Sequence, residues 1–442
     1  MNVCVYGLWH LGSVTAACLA DLASTSATRV MGLDPDPAVV AGLNDGRPPL
    51  FEPGLEDLVR RGLASGRLQF TDRVERVADA DLVWVTFDTP VNQDDQADVD
   101  AVATRIEALF PHLADGAVVL VSSQVPVGFC ARIERAFAAV AAGRRIELAC
   151  SPENLRLGRA IEVFRNPERI VVGTRTDAGR TRIGKLLEPL GRPIQWMRVE
   201  SAEMTKHAVN AFLATSVTFI NEIAAVCEGT GADAKEVEGA LKSEGRIGPK
   251  AYLSPGAAFA GGTLARDIAF LLGTGARLGL TTPLFAGVKQ SNDVHRGWAR
   301  RRLGELLGDV RDKTIAILGL TYKPNTDTLR RSESVALCRW LVERGARVRA
   351  HDPSIKQPDP KQPDPELPPS LTLSATLDDA IRGADAVVVA TEWPAFRELT
   401  ADRLRASAPA ALVLDAGRFL AGSLAGDARV RYFAVGVPGQ QA

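Results

Sequence analysis

The feature that most restricts the fold is a series of short, uninterrupted apolar segments set between longer stretches of helical pattern. Val3-Cys4-Val5-Tyr6 leads into Gly7, Arg29-Val30-Met31-Gly32-Leu33 ends at Asp34, and Leu82-Val83-Trp84-Val85-Thr86 is followed closely by Asp88. Ala117-Val118-Val119-Leu120-Val121 and Arg169-Ile170-Val171-Val172-Gly173 continue the series. Strands that are apolar on both faces belong to parallel sheets covered by helices on both sides. The alternation restarts at Lys313 with Thr314-Ile315-Ala316-Ile317-Leu318-Gly319, then Ala346–Ala350, Ala386–Ala390 and Ala411–Asp415. Between the two series, Ser201 to about Gly229 holds no proline and no interior glycine, which predicts one long helix stopped by Gly229 and Gly231. The expected class is therefore α/β. Two Rossmann-like, doubly wound parallel-sheet domains (1–200 and 301–442) are joined by a long central helix within a helical connector (201–300).

Composition narrows the function. Of 442 residues, 46% are hydrophobic and 24% charged, which excludes disorder. With 52 basic and 53 acidic side chains, the net charge of -1 offers no global attraction to nucleic acid or an anionic membrane. No uninterrupted apolar run reaches the ~18 residues of a membrane span, and the N-terminus lacks the basic start of a secretory signal. Six cysteines lie singly among apolar neighbours and five histidines are scattered, so buried reduced thiols in a cytoplasmic protein without a metal site are expected. The tandem Lys356-Gln357-Pro358-Asp359-Pro360 and Lys361-Gln362-Pro363-Asp364-Pro365 reads as an exposed polyproline-like insertion.

The first strand runs into Gly7-Leu8-Trp9-His10-Leu11-Gly12, and Asp34 closes the second strand. Strand, glycine turn, helix and distal acid make a dinucleotide-binding unit. An acid at that place accepts ribose hydroxyls and repels a 2′-phosphate, favouring NAD over NADP. Gly7, Leu11, Gly12 and Asp34 are the expected contacts. Trp9 occupies the usual middle glycine, so its indole must point away from the pyrophosphate path or displace it.

Further segments extend the pattern along nearly the whole chain: Leu43-Asn44-Asp45-Gly46 with Glu52-Pro53-Gly54-Leu55, Thr89-Pro90, Val125-Pro126-Val127-Gly128, and Pro152-Glu153-Asn154-Leu155-Arg156. The connector adds Glu203-Met204-Thr205-Lys206-His207-Ala208-Val209-Asn210, Phe219-Ile220-Asn221-Glu222, and Arg246-Ile247-Gly248 before a loop from Gly256 to Asp267. Gly319-Leu320-Thr321-Tyr322-Lys323, Thr326 to Arg330 and Thr391-Glu392-Trp393 follow. Together these segments resemble the nucleotide-sugar 6-dehydrogenases, the family of UDP-glucose, GDP-mannose and UDP-N-acetylmannosamine dehydrogenases. The resemblance implies oxidation of a sugar's terminal alcohol to a carboxylate with two NAD. A cysteine captures the intermediate aldehyde, and water cleaves the resulting thioester.

Carried over residue by residue, the resemblance assigns Thr89, Pro90 and Arg330 to the cofactor and Glu153, Asn154, Leu155, Arg246, Tyr252, Phe259, Gly261 and Lys323 to the substrate. It also implies a homodimer formed through the long helix. Lys206 and Asn210 stand one turn apart on one helix face, where an ammonium and an amide would stabilise oxygen charge developing at the reacting carbon; alone, such a pair would read as solvated surface. Asp267 would orient water or the lysine, or else cap a helix. Glu153 would move protons, or else form a structural ion pair.

The decisive departure is Thr263, which stands where the family has its nucleophilic cysteine. A thiol with a pKa of about 8.5 supplies thiolate at neutral pH, whereas an unassisted alcohol supplies essentially none. Gln124, Leu157 and Arg266 also replace the family's threonine, glutamate and lysine. The residues therefore predict one hydride transfer ending at an aldehyde or ketone on a nucleoside-diphosphate sugar. Full oxidation through the aldehyde hydrate, redox-neutral epimerisation with retained NAD, and a catalytically silent sugar-nucleotide-binding subunit stand as alternatives.

Overall fold

The computed structural model describes residues 1–442 apart from 23–27, 93–96, 154, 261–262, 322, 325, 330–331, 356–363 and 439–442. The chain divides into two compact units, Met1–Val209 and Asn210–Ala442.

The first unit is built on β1 (Asn2–Tyr6), β2 (Arg29–Leu33), β3 (Leu68–Thr71), β4 (Leu82–Val85), β5 (Ala117–Val121), β6 (Ile146–Cys150), β7 (Ile170–Gly173) and β8 (Ile194–Met197). They form one sheet in the order β3-β2-β1-β4-β5-β6-β7-β8. The reversal of strand order beside β1 is the switch point at which such sheets bind nucleotides. Two apolar cores cover its faces, one around Val3, Val5 and Val14, the other around Cys4, Tyr6 and Val119. The expected strands are present, together with β3, β6 and β8, which no unbroken apolar run marks. The sheet also departs from a wholly parallel one, because β7 meets β6 antiparallel at Cys150 and Gly173.

The second unit carries β9 (Thr314–Leu318), β10 (Arg347–His351), β11 (Thr372–Leu373), β12 (Ala386–Val389), β13 (Leu412–Asp415) and β14 (Arg431–Phe433), ordered β11-β10-β9-β12-β13-β14 with every pairing parallel. The KQPDP repeat lies mostly outside the described residues.

One helix, Val199–Thr230, links the two series, close to its expected bounds. Among the described residues it is the one helix long and apolar enough in composition to cross a membrane, which a search for unbroken apolar runs passes over. Its buried positions include Glu203, His207, Asn210 and Asn221, all hydrogen-bonded within the protein. Polar groups of that kind belong to a core helix rather than to one facing lipid. All six cysteines are buried and free, as expected.

Candidate active site

The glycine turn of the first unit is built for close approach. Gly7 has φ +98, a conformation side chains resist, and the Phe87 ring lies 2.8 Å from where its β-carbon would be. A β-carbon on Gly12 would fall 1.7 Å from the Gly7 carbonyl oxygen and 2.7 Å from Thr86 Oγ1. Only glycine lets the helix His10–Leu22 start this near the strand. Trp9 is 47% exposed and is not among the described non-glycine residues with positive φ, so the turn needs no glycine there for its backbone. Leu11 is buried in the first helical turn.

The acid at the end of each second strand separates the two units. Asp34 accepts hydrogen bonds from Leu8 N at 2.6 Å and Asp36 N at 2.9 Å. Two carboxylate oxygens offer about four acceptor sites, so Asp34 retains capacity for ribose hydroxyls. Asp352, its counterpart after β10, accepts from Leu320 N, Thr321 N, Thr321 Oγ1, Trp393 Nε1, Ser354 N and Ser354 Oγ. These bonds lower the Asp352 pKa against the opposing effect of burial. The first unit therefore fits a dinucleotide, while the acid of the second is already committed to its own turn.

Beside β5, Thr89 Oγ1 donates to the Gln124 carbonyl at 2.6 Å, and the Pro90 carbonyl accepts from Asp98 N at 2.7 Å. Lys206 Nζ donates to the Glu153 carbonyl at 2.7 Å and lies 3.7 Å from Glu153 Oε1. Glu153 Oε2 accepts from Leu155 N at 2.8 Å. Lys206 and Glu153 share a narrow pocket with Ser123, Gln124 and Cys150. Ser123 is 6% exposed, and among the described residues its hydroxyl has no hydrogen-bond partner. Sequence reading missed both Ser123 and Cys150 because only the sheet brings them to Lys206. Cys150 is no substitute nucleophile, since burial, reinforced by Glu203, pushes its thiol pKa well above the ordinary value. Two motif acids are structural. Glu52 accepts from Gly158 N, Ala160 N and His10 Nε2. Glu203 accepts from Gly128 N and Cys130 N at the start of the helix Phe129–Val140.

In the second unit, Asn210 Nδ2 donates to Asp267 Oδ2, and Asp267 is fully buried. Asp267 lies inside the first turn of the helix Leu264–Arg277 rather than at its cap, which corrects the capping alternative. Thr263 occupies the N-cap, but its hydroxyl makes no cap bond and the residue is exposed. The loop ahead of it is pinned at three points that sequence reading did not assign. Asn221 Oδ1 accepts from Gly256 N at 3.0 Å, and Asn292 exchanges two bonds with the Phe259 backbone at 3.0 and 2.9 Å. His295 Nε2 donates to the Gly256 carbonyl at 2.7 Å. Burial lowers the His295 pKa, keeping the ring neutral. Phe259 packs against the cluster around Ala211 and Ile268. Arg246 pairs with Glu244 on the surface, and Tyr252 is 57% exposed. The Lys323 carbonyl accepts from Thr326 Oγ1. Asn154, Gly261 and Arg330 lie outside the described residues.

Comparison with known proteins covers the same ground. Three models of the UDP-glucose/GDP-mannose dehydrogenase family match in chain order: the NAD binding domain at residues 1–191, the central domain at 200–294 and the UDP binding domain at 316–422. A UDP-glucose 6-dehydrogenase of Pseudomonas aeruginosa is 34% identical over 99% of this chain and 98% of its own length. The Bacillus subtilis UDP-glucose 6-dehydrogenase YwqF is 32% identical over 99% and 98%. A solved UDP-glucose dehydrogenase from Pyrobaculum islandicum aligns with a TM-score of 0.83 at 31% identity, over 99% of this chain and 97% of that one.

Proposed function

Because the chain belongs to the UDP-glucose/GDP-mannose dehydrogenase family, NAD-dependent nucleotide-sugar 6-dehydrogenases, we propose that it oxidises a UDP-linked sugar of the UDP-glucose type by one hydride transfer and releases the carbonyl product. When bound, NAD supplies a hydride acceptor. Gly7, Gly12 and Asp34 would hold it, with Thr89 and Pro90 beside it.

The protein's own part is to manage charge and protons. Lys206, fixed by the Glu153 carbonyl, presents its ammonium to the oxygen of the reacting carbon. Asn210 adds a second polar group one helical turn on, and the buried Asp267 carboxylate fixes the orientation of its amide. Glu153 takes the alcohol proton.

The observation that carries the single transfer is the state of Thr263. An alcohol becomes a nucleophile when a base sits within hydrogen-bond reach, and the Thr263 hydroxyl has no such bond among the described residues. It can position a sugar hydroxyl but cannot hold an acyl intermediate. One observation favours a second reading, onward oxidation through the aldehyde hydrate: the unpartnered Ser123 hydroxyl in the Lys206 pocket would hold the added water. Mass analysis of products from a panel of UDP-sugars separates the two. A product lacking two hydrogens supports the proposal, and an acid supports the hydrate route.

The working assembly is a homodimer through the connector helix. Phe212, Phe219 and Val226 recur there at seven-residue spacing and are 70%, 46% and 61% exposed, a stripe that pairing with a second copy would cover.

A further inference from the structure

We propose that Arg105 is the adenine platform of the cofactor site, its guanidinium plane carrying one face of the base. The inference rests on the assignment of residues 1–191 as an NAD-binding domain and extends it to a residue that no motif points to.

Arg105 lies in the last turn of the helix Val99–Glu107, the helix that follows β4. Its guanidinium carbon sits 4.4 Å from the centroid of the Phe87 ring. That ring packs edge-on against Tyr6, with centroids 4.6 Å apart at 85°, and is also the group that would meet a β-carbon on Gly7. Glycine turn, Phe87 and guanidinium therefore form successive layers at the carboxyl end of β1. The Tyr6 hydroxyl donates to the Arg105 carbonyl at 3.2 Å, which anchors the end of the helix to the strand.

The charge of Arg105 is uncommitted, and the ring it covers is the one that packs on the glycine turn. Among the described residues no carboxylate lies within ion-pair distance of it, and its side chain makes no hydrogen bond. Several other arginines in this unit are tied to acids, as Arg175 is to Glu134 and Glu200 and Arg132 is to Asp100. Asp34 belongs to the same turn: its carboxylate accepts from Leu8 N at 2.6 Å, next to the Gly7 position against which Phe87 packs. Ribose hydroxyls held by Asp34 place the attached base within one sugar of that carboxylate. A planar cation already stacked on one ring offers its outer face to a second flat π-system, and adenine is the group that the cofactor brings there. A surface arginine that merely shields Phe87 with its stem would give the same contacts but would bind nothing.

The test is calorimetry of NAD and of ADP-ribose, which keeps the adenosine half and lacks nicotinamide. Arg105→Ala should weaken both by about tenfold and to the same degree, while the melting temperature of the unliganded protein stays put. Arg105→Lys, which keeps the charge and loses the plane, should recover less than half of that loss. Unchanged binding by Arg105→Ala overturns the proposal, as does full recovery by Arg105→Lys, which would mean a charge contact with phosphate. If the unaltered protein binds neither ligand, the cofactor assignment itself falls and the proposal with it.

Discussion

Substituting Gly12 by alanine probes the cofactor turn most sharply. The new methyl would lie 1.7 Å from the Gly7 carbonyl oxygen, which is backbone and cannot rotate aside. Restoring an ordinary contact requires the start of the helix His10–Leu22 to withdraw by about 1.5 Å. Overpacking of this kind costs about 1–3 kcal/mol. The withdrawal also disturbs the 2.7 Å bond from Thr86 Oγ1 to the Gly7 carbonyl, worth about 1 kcal/mol. Together the loss is about 3 kcal/mol, which lowers the melting temperature by roughly 6–12 °C for a unit of this size. Because a pyrophosphate would sit at the start of this helix in a dinucleotide fold, NAD should bind at least tenfold more weakly, on the order expected for a misplacement of an ångström or more. Gly239→Ala is the control: nothing lies within 4 Å of its β-carbon position, and it sits inside the helix Ala234–Ser243. It should raise stability by about 0.5–1 kcal/mol and leave NAD affinity alone. Urea unfolding and calorimetry read both quantities. A Gly12→Ala protein that melts and binds like the parent would refute the close-approach argument.

Thr263→Cys should restore a nucleophile with a pKa of about 8.5 and turn the carbonyl product into an acid, seen by mass spectrometry; an unchanged product would show that the sulfur is not what limits oxidation. Asn210→Ala should lower kcat by about 10²–10³ with a much smaller change in NAD affinity, measured by steady-state kinetics and calorimetry. His295 is held neutral by burial, so its folded pKa lies below its ordinary 6.5. The unfolded chain therefore binds the proton first, and the His295 contribution to stability, present above about 6.5, is lost as pH falls through the folded pKa. Melting scans from pH 7.5 to 5 should show this slope, and His295→Gln should flatten it. Phe212→Asp with Phe219→Asp should convert the proposed dimer to monomer in light scattering; a dimer that persists would place the interface elsewhere.

The interior strands were legible because they are apolar on both faces, as in Val118-Val119-Leu120 or Val387-Val388-Val389. The strands that escaped notice are of two kinds. β3, β8, β11 and β14 lie at or beside sheet edges, where alternating polar residues such as Gln69 and Gln195 face outward and the apolar run is broken. β6 is internal but carries Glu147, which serves Thr176 and Arg175 instead of the core. Within the site, Lys206, Asn210, Asp267 and Thr263 stood out through motif spacing. Ser123, Cys150, Asn292 and His295 act through contacts made only when distant segments meet, and nothing in their immediate sequence announces that. Asn221 is intermediate, since it lies in a motif but its partner is the backbone at Gly256. Charge saturation at Asp352, with spare capacity at Asp34, is likewise a property of folded geometry that two similar glycine turns conceal.

The number of reducing equivalents that each sugar yields tests the single hydride transfer most directly. Purified protein, excess NAD and a limiting amount of its UDP-sugar substrate should give one NADH per sugar consumed, with a carbonyl trapped by hydroxylamine. Two NADH per sugar at a steady rate, with uronate as the product, would contradict it and make the hydroxyl at position 263 compatible with the full oxidation.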